Sequence, residues 1–307
     1  MKTKKMLLAL SLALSAALLL SACGGSGGNL GSFVQDVADA VDEEEDQIPW
    51  WYVIGEVVVD PNVPSGWCGD DITWRCEDGV LTLEGSGPMT DYPIPHSEIV
   101  NAEDYPAPWQ RIADEITTVL VSEGITAVGK QAFQDLPCLT DVSLPSTLTE
   151  IGFNAFSDCV GLQEITIPEG VTEISYEAFD GCEQLREVTL PDSVTVIGSS
   201  AFYGCKQLQE ITLPDTLTEI DGLAFYGCNQ LRLTVPAGVT FMGYQSFSGE
   251  RLTFLGDAPA PSNGEYDSII NPDDYHDRKL TIVYRGEGFE PYIEAYRNCP
   301  NIRWVKD

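Results

Sequence analysis

A phenylalanine recurs every 23 residues through the middle of this 307-residue chain. Five of the phenylalanines keep strict step and a sixth comes one residue early: Phe133, Phe156, Phe179, Phe202, Phe225 and Phe247. A small residue precedes each one, and a leucine follows each of the first five after six residues. Self-similarity at a period of about 20 to 50 residues is the signature of a solenoid, in which each copy buries its apolar face only against its neighbours. A chain built in this way presents mainly an extended surface.

Each copy contains the pattern of a short strand followed by a second extended piece. In one copy, Leu185, Val188 and Leu190 alternate with polar residues, a period close to two that predicts a half-buried strand ending at Pro191. Ile197 belongs to the second piece. Stacked copies would place parallel strands about 4.7–4.9 Å apart, so that identical side chains form ladders along the stack. The phenylalanines should therefore form the spine of the core.

The sequence predicts a mostly β, α/β-type solenoid of about six 23-residue copies, with capping modules at both ends. Caps are required because the ends of the stack would expose apolar ladder. The copies occupy 116–255, a β-rich N-terminal capping module 49–115 and a C-terminal cap 256–307. Within the C-terminal cap, residues 279–284 are predicted to form one more strand, and its aromatic residues are expected to close the open end of the core: Tyr292, Tyr296 and Trp304.

The first 22 residues have the pattern of a secretory signal, with a basic start and an apolar run from Met6 to Leu20. The sequence Leu20-Ser21-Ala22-Cys23 resembles the lipobox of bacterial lipoproteins. That resemblance implies cleavage before Cys23 and diacylation of its thiol, and two acyl chains suffice for stable anchoring. Residues 23–48 are predicted to be a flexible acidic linker, because a Gly/Ser stretch is followed by a block of like charges at 42–46.

Residues 116–255 resemble the BspA-type leucine-rich repeats of bacterial surface proteins, whose core is A-F-x-x-C-x-x-L-x-x-V-x-L-P. The stretch from Ala178 to Leu185 reads A-F-D-G-C-E-Q-L, and the other copies repeat it with few departures. The upstream segments at 67–74, 81–89 and 108–109 resemble a region that often precedes these repeats. The resemblance implies a secreted or cell-surface protein, and members of the family have been linked to adhesion to host proteins and other cells. A shared scaffold of this kind does not specify one ligand.

The acidic residues of the copies form the most distinctive predicted surface. One strand position carries a row of carboxylates, Asp141, Glu164, Glu187 and Glu210. Two residues further on comes a row of hydroxyls, Ser143, Thr166, Thr189 and Thr212. Both rows should point away from the core, which predicts a binding face for a basic protein patch, or for divalent cations, which favour oxygen ligands. A simple solvated face is the alternative.

Four cysteines, Cys159, Cys182, Cys205 and Cys228, also recur at 23 residues and should stack. Stacked parallel copies give poor disulfide geometry, so we interpret them as small buried hydrophobes, with a metal or redox role as the alternative. Cys68 and Cys76 lie outside the copies, where a disulfide is plausible in an exported protein. Either one could instead pair with Cys299 or stay free.

Features of an enzyme are scarce in the sequence. There are two histidines, His96 and His276, and neither lies in a recognised catalytic or zinc-binding motif. With 48 acidic residues, carboxylate pairs of the glycosidase kind are expected by chance. The sequence therefore predicts a protein that is not an enzyme and has no catalytic residues, no metal and no cofactor.

Charge and aromatic residues restrict the partners. A formal net charge of −32 without a basic stripe excludes nucleic acid and leaves the lipid anchor as the only predicted membrane contact. Five of the six tryptophans precede the copies, and most should be core. Trp50, Trp51 and Tyr52 could instead form an exposed platform on which sugars stack.

The leading hypothesis is a lipid-anchored, extracytoplasmic protein of the bacterial cell surface that presents its repeat face to a protein partner. The partner would lie on a host, in the matrix or on a neighbouring cell. The alternative is a carbohydrate-binding surface lipoprotein that uses the N-terminal aromatic residues.

Overall fold

The computed structural model describes residues 64–92, 107–261 and 269–307. The predicted signal, Cys23, the linker, His96 and the three aromatic residues at 50–52 lie outside these ranges. Most of the described structure consists of strands and turns. None of the helices within the described ranges combines the length and apolarity needed to cross a bilayer.

Each copy contributes a short second strand, and every copy except the one that contains 209–213 also contributes a short first strand; equivalent strands lie in line along the stack. The first-strand line consists of β4 (Thr118–Val121), β6 (Asp141–Ser143), β8 (Glu164–Thr166), β10 (Glu187–Thr189), β13 (Arg232–Val235), β15 (Arg251–Phe254), β17 (Leu280–Tyr284) and β18 (Ile302–Lys306). The second-strand line consists of β5 (Ile125–Val128), β7 (Glu150–Ile151), β9 (Glu173–Ile174), β11 (Val196–Ile197), β12 (Glu219–Ile220), β14 (Phe241–Met242) and β16 (Ala260–Pro261). The pairings within both lines are parallel, as the repeat predicts.

The local sequence explains why these strands are short. In β10, Val188 is buried between the exposed Glu187 and Thr189. Pro191 has no N–H to donate to a ladder, so the strand cannot continue through it. At 209–213 no strand forms, but the alternation persists, with Ile211 buried between exposed neighbours.

The phenylalanines form a column of stacked rings, which confirms the predicted spine. Ring centroids from Phe133 to Phe225 are 5.2–5.5 Å apart, and the rings of the three later pairs are nearly parallel, at 3° to 6°. Trp109 of the N-terminal module stacks on Phe133 with a centroid distance of 5.6 Å. The module therefore extends the column by one ring instead of merely covering its end.

The turn that carries each phenylalanine contains residues with left-handed backbone conformation. Around Phe179 these are Glu177 (φ 53°) and Gly181 (φ 70°), two positions before and after the ring. The backbone amides of Glu177, of Phe179 itself and of Gly181 all donate to carbonyls of the next copy. The acceptors are Ser199, Ala201 and Tyr203, in that order. The backbone hydrogen bonds across this surface of turns, which we call the turn face, thus point in one direction along the stack.

The N-terminal module supplies the donors that the first copy needs. The first copy has three carbonyls on the turn face, and no preceding copy is present to donate hydrogen bonds to them. The donors are the Tyr92 amide to Lys130 O (2.9 Å), the Trp109 indole Nε1 to Ala132 O (2.8 Å) and the Gln110 side-chain amide to Gln134 O. Gln110 begins a short 3-10 helix, Gln110–Glu115. The module therefore continues the hydrogen bonding as well as the ring column.

The same module joins both strand lines. It is an antiparallel sheet of β1 (Ser65–Gly69), β2 (Asp71–Glu77) and β3 (Val80–Pro88). β3 pairs in parallel with β4 and then, past a bend, with β5. Gly85 permits the bend, because it has a φ of 140° and a Cβ there would lie 1.9 Å from the carbonyl oxygen of Asp71.

The C-terminal segment continues the first-strand line beyond residue 255. β17 is the strand predicted at 279–284, and β18, which the sequence pattern does not predict, pairs with it in parallel. The segment also contains a 3-10 helix, Pro272–Tyr275, and one α-helix, α1 (Glu290–Ala295). Tyr292 and Tyr296 are buried in the core, with Trp304 partly buried beside them, as expected for residues that close its end.

Candidate binding face

The outward side chains of the first-strand line form a surface that we call the first-strand face. Its acidic row is Asp141, Glu164, Glu187 and Glu210, and its hydroxyl row is Ser143, Thr166, Thr189 and Thr212; all eight residues are exposed. Strand register places Asp141 beside Thr118, and Glu187 beside Glu164. The inward residues between them belong to the core, so the two rows follow the stack as the repeat predicts. Their role in binding stays a prediction.

A shallow depression of about 250 Å³ interrupts the face between β6 and β8. These two strands belong to separate sheets, because the hydrogen-bonded ladder of the first-strand line is open at this junction. The depression is lined by Thr118, Leu120, Asp141, Val142, Ser143, Glu164, Ile165 and Thr166. Carboxylates beside the exposed side chain of Leu120 suit a lysine or arginine side chain, which has an aliphatic stem and a charged head.

The charge on the face changes sign halfway along the stack. Arg232 lies beside Arg251, Arg251 beside Thr281, and Thr281 beside Arg303. All three arginines are exposed, and we call them the basic row. The Arg232 guanidinium also contacts the Glu250 carboxylate at 3.2 Å. The acidic and basic rows therefore occupy opposite halves of one line of strands.

The 23-residue period does not predict the basic row. One copy loses a residue before β13, and the next strand follows after only 19 residues, so counting in steps of 23 passes over both arginines. The signal that could have revealed them is a short internal repeat, R-L-T-V at 232–235 and R-L-T-F at 251–254.

The four recurrent cysteines are free and fully buried. Their thiols donate to the phenylalanine carbonyls of the preceding copy; Cys159 Sγ lies 3.0 Å from Phe133 O and Cys182 Sγ 3.1 Å from Phe156 O. Burial raises the pKa of Cys159 to about 12 and that of Cys182 well above its ordinary value. Protonated thiols with hydrogen-bonded partners agree with the interpretation of these residues as small buried hydrophobes.

Cys68 and Cys76, for which the sequence leaves a bridge, a pairing with Cys299 or free thiols as possibilities, are both free and buried in the structure. The β1–β2 register explains this. Cys76 lies opposite Pro64, to whose carbonyl its amide donates, whereas Cys68 sits near Ile72 at an irregularity in the other end of the pairing. Cys299 is also free. The structure therefore agrees with the possibility that Cys68 and Cys76 stay unpaired.

The aromatic residues of the N-terminal module are mostly core. Trp74 and Trp109 are buried and meet edge to face at 5.6 Å. Trp67 is the exception within the described part of the module, with 40% of its surface exposed.

A second set of carboxylates lies on the turn face. Burial raises the pKa of Asp180 to about 6, and the nearby negative charges of Glu177 and Asp158 add to the effect. Burial and Asp135 raise the pKa of Asp158 in the same way. Ionised carboxylates at these positions therefore oppose folding.

Comparison with known proteins places the repeats in a family. The family described as "BspA type Leucine rich repeat region" matches residues 126–253 in six copies. No curated protein matches the chain. Among solved structures, a leucine-rich repeat protein from Eubacterium ventriosum is 19% identical, and the alignment covers 80% of this chain and 85% of that one with a TM-score of 0.35. The pneumococcal vaccine antigen PcpA is 14% identical, with 83% of this chain and 99% of that one covered and a TM-score of 0.36. A leucine rich cell surface protein from Faecalibacterium prausnitzii is 18% identical, with 82% of this chain and 97% of that one covered and a TM-score of 0.36. Residues 126–253 of this chain thus match the BspA-type leucine-rich repeat model, as the A-F-x-x-C repeat predicts.

Proposed function

We propose that this chain is a bacterial cell-surface protein of the adhesion type, whose first-strand face contacts a protein partner. The observation that carries the proposal is the pair of exposed rows, repeated from copy to copy. Buried residues such as Ile165 and Val188 hold the stack together, and the carboxylates beside them contribute nothing to that core. Like charges in register at strand spacing repel one another, so the acidic row lowers the stability of the fold. A role in binding would explain why the row is present.

The chemistry of the face indicates a basic partner. Carboxylates at the rim of the depression would pair with lysine or arginine, and Leu120, 38% exposed, would contact the aliphatic stem. Such pairing at an exposed face acts mainly on specificity and on the rate of association.

The test removes three charges from the face: Glu164→Gln, Glu187→Gln and Glu210→Gln together. The matched control removes the same number from the second-strand line, with Glu150, Glu173 and Glu219 changed to glutamine. Binding of each protein to whole bacterial cells and to immobilised matrix proteins is followed over time at low and raised salt. We expect the first variant to associate several-fold more slowly and the control to behave as wild type.

Unchanged binding by a folded first variant at low salt would refute this location. The N-terminal module, where Trp67 is exposed, would then be the candidate binding site. A glycan array probed with the same proteins would test that carbohydrate-binding alternative.

Membrane attachment through Cys23 is the second part of the proposal, and it is supported by the lipobox-like sequence before that residue. Replacing Cys23 with serine should abolish labelling by a radioactive fatty acid and release the protein from membranes. Mass spectrometry that finds an unmodified mature N-terminus at another residue would contradict the anchor.

A further inference from the structure

The two charged rows of the first-strand face are complementary to each other when one stack is reversed. After Thr118 of β4, the outward positions follow in the order Asp141, Glu164, Glu187, Glu210, Arg232, Arg251, Thr281 and Arg303. The sign changes at the midpoint, between Glu210 and Arg232. The Arg232 amide donates to the carbonyl of Gln209, which confirms that these positions belong to adjacent copies.

We propose that two molecules of this chain pair through their first-strand faces, about a two-fold axis that runs parallel to the strands between Glu210 and Arg232. This inference rests on the proposed function and names the partner of the same face. The axis places Glu210 opposite Arg232 of the second molecule and Glu187 opposite its Arg251. Further out, Asp141 faces Arg303. Because the interface is isologous, each of these pairs occurs twice.

The side chains beside these charges allow the two faces to approach. The neighbouring row consists of small hydroxyl residues and continues past the midpoint with Thr234 and Thr253. The Arg232–Glu250 ion pair is no obstacle, because the side chains are 62% and 50% exposed and the guanidinium has donors to spare. Complementary charges across an interface fix its register and speed encounter.

The overall charge of −32 opposes association, but it acts at a longer range than the facing pairs. At physiological ionic strength the Debye length is about 8 Å, so distant charges are largely screened while facing groups remain in contact. Wild-type pairing should therefore occur at physiological salt and be lost in about 1 M salt, where the screening length falls to about 3 Å.

The two-fold axis reverses the direction of the second stack, so the two N-terminal ends lie at opposite ends of the pair. That arrangement suits two chains that are tethered at their N-termini to facing cells.

The test is a cycle of charge reversals. One variant carries Glu187→Arg and Glu210→Arg, a second carries Arg232→Glu and Arg251→Glu, and a third carries all four changes. Each is purified as the full chain in a mild non-ionic detergent and studied by density-matched sedimentation equilibrium. Circular dichroism verifies folding, and any association through the N-terminal segment is common to all four proteins.

Under this proposal the wild type forms a dimer, and either half-reversed variant alone loses about 100-fold or more in self-affinity, because like charges then face each other. The two half-reversed variants mixed together should form a heterodimer, and the fully reversed variant should again form a homodimer. Folded half-reversed variants that fail to associate when mixed would overturn it, as would a wild type that stays monomeric. If that monomer still binds cells and the Glu→Gln variant does not, the proposed function stands and self-pairing alone is refuted.

Discussion

Replacing Phe179 with alanine should test the ring column most severely. Phe179 is fully buried, and the rings of Phe156 and Phe202 each lie 5.5 Å away at 3° and 6°. Two stacked pairs contribute about 0.5–1.5 kcal/mol each beyond the burial of area. The backbone of both neighbours is tied to the ladder, so the cavity cannot collapse. We therefore expect a loss near the upper end of the range for Phe→Ala, about 4–5 kcal/mol.

Urea titration followed by far-ultraviolet circular dichroism measures this loss as a change in midpoint at constant slope. Phe179→Leu is the matched control; it keeps most of the apolar volume and should lose about 1–3 kcal/mol, the contribution of the two stacked pairs. Phe247→Ala should cost less, about 3 kcal/mol, because Phe247 lies where the repeat is irregular and its bridge to Phe225 is isolated. Equal losses for the two alanine variants would refute the column as the source of stability.

Three further predictions test other parts of the structure. Trp109→Phe keeps the stacked ring but leaves the buried Ala132 carbonyl without its indole donor, and should cost about 1–3 kcal/mol in thermal or urea unfolding; an unchanged midpoint would contradict the capping role. Asp180→Asn should raise the melting temperature near pH 7.5 and leave it nearly unchanged near pH 3: the folded-state pKa of about 6 lies above the ordinary 3.8, so the destabilisation by the aspartate is absent below 3.8, grows as pH rises from there and is complete above pH 6. A maleimide added to the native protein should modify the exposed Cys138 and leave Cys182 intact, and peptide mapping that finds Cys182 labelled would sink the assignment of that thiol as buried and protonated.

The repetitive part of the fold could be predicted from the sequence because every copy must solve the same packing problem. The alternation around Val188 and the stop at Pro191 predict the first strand, and the fixed distance to Phe179 predicts the ring column. Both follow from local residue types and from a period that only stacking can satisfy. The exposed carboxylates follow from the same alternation.

The remaining features depend on contacts between distant segments or on departures from the period. The basic row lies beyond the shortened copy, so its alignment with Glu210 is fixed by the hydrogen bond from the Arg232 amide to the Gln209 carbonyl and not by the count of residues. The free Cys68 and Cys76 follow from the β1–β2 register, which composition does not specify. The indole of Trp109 reaches a carbonyl 23 residues away, a pairing that no local pattern indicates.

The one-way backbone hydrogen bonds of the turn face make the stack a potential unit of fibre growth. A bare first copy would offer three carbonyls in the same geometry that every later copy presents to its predecessor. The last copy of another molecule could donate to them, and the addition would leave an equivalent end ready for the next molecule. Tyr92, Trp109 and Gln110 occupy those carbonyls and so terminate the series. We therefore expect that the N-terminal module keeps the protein from polymerising end to end, a hazard shared by all edges of unpaired backbone.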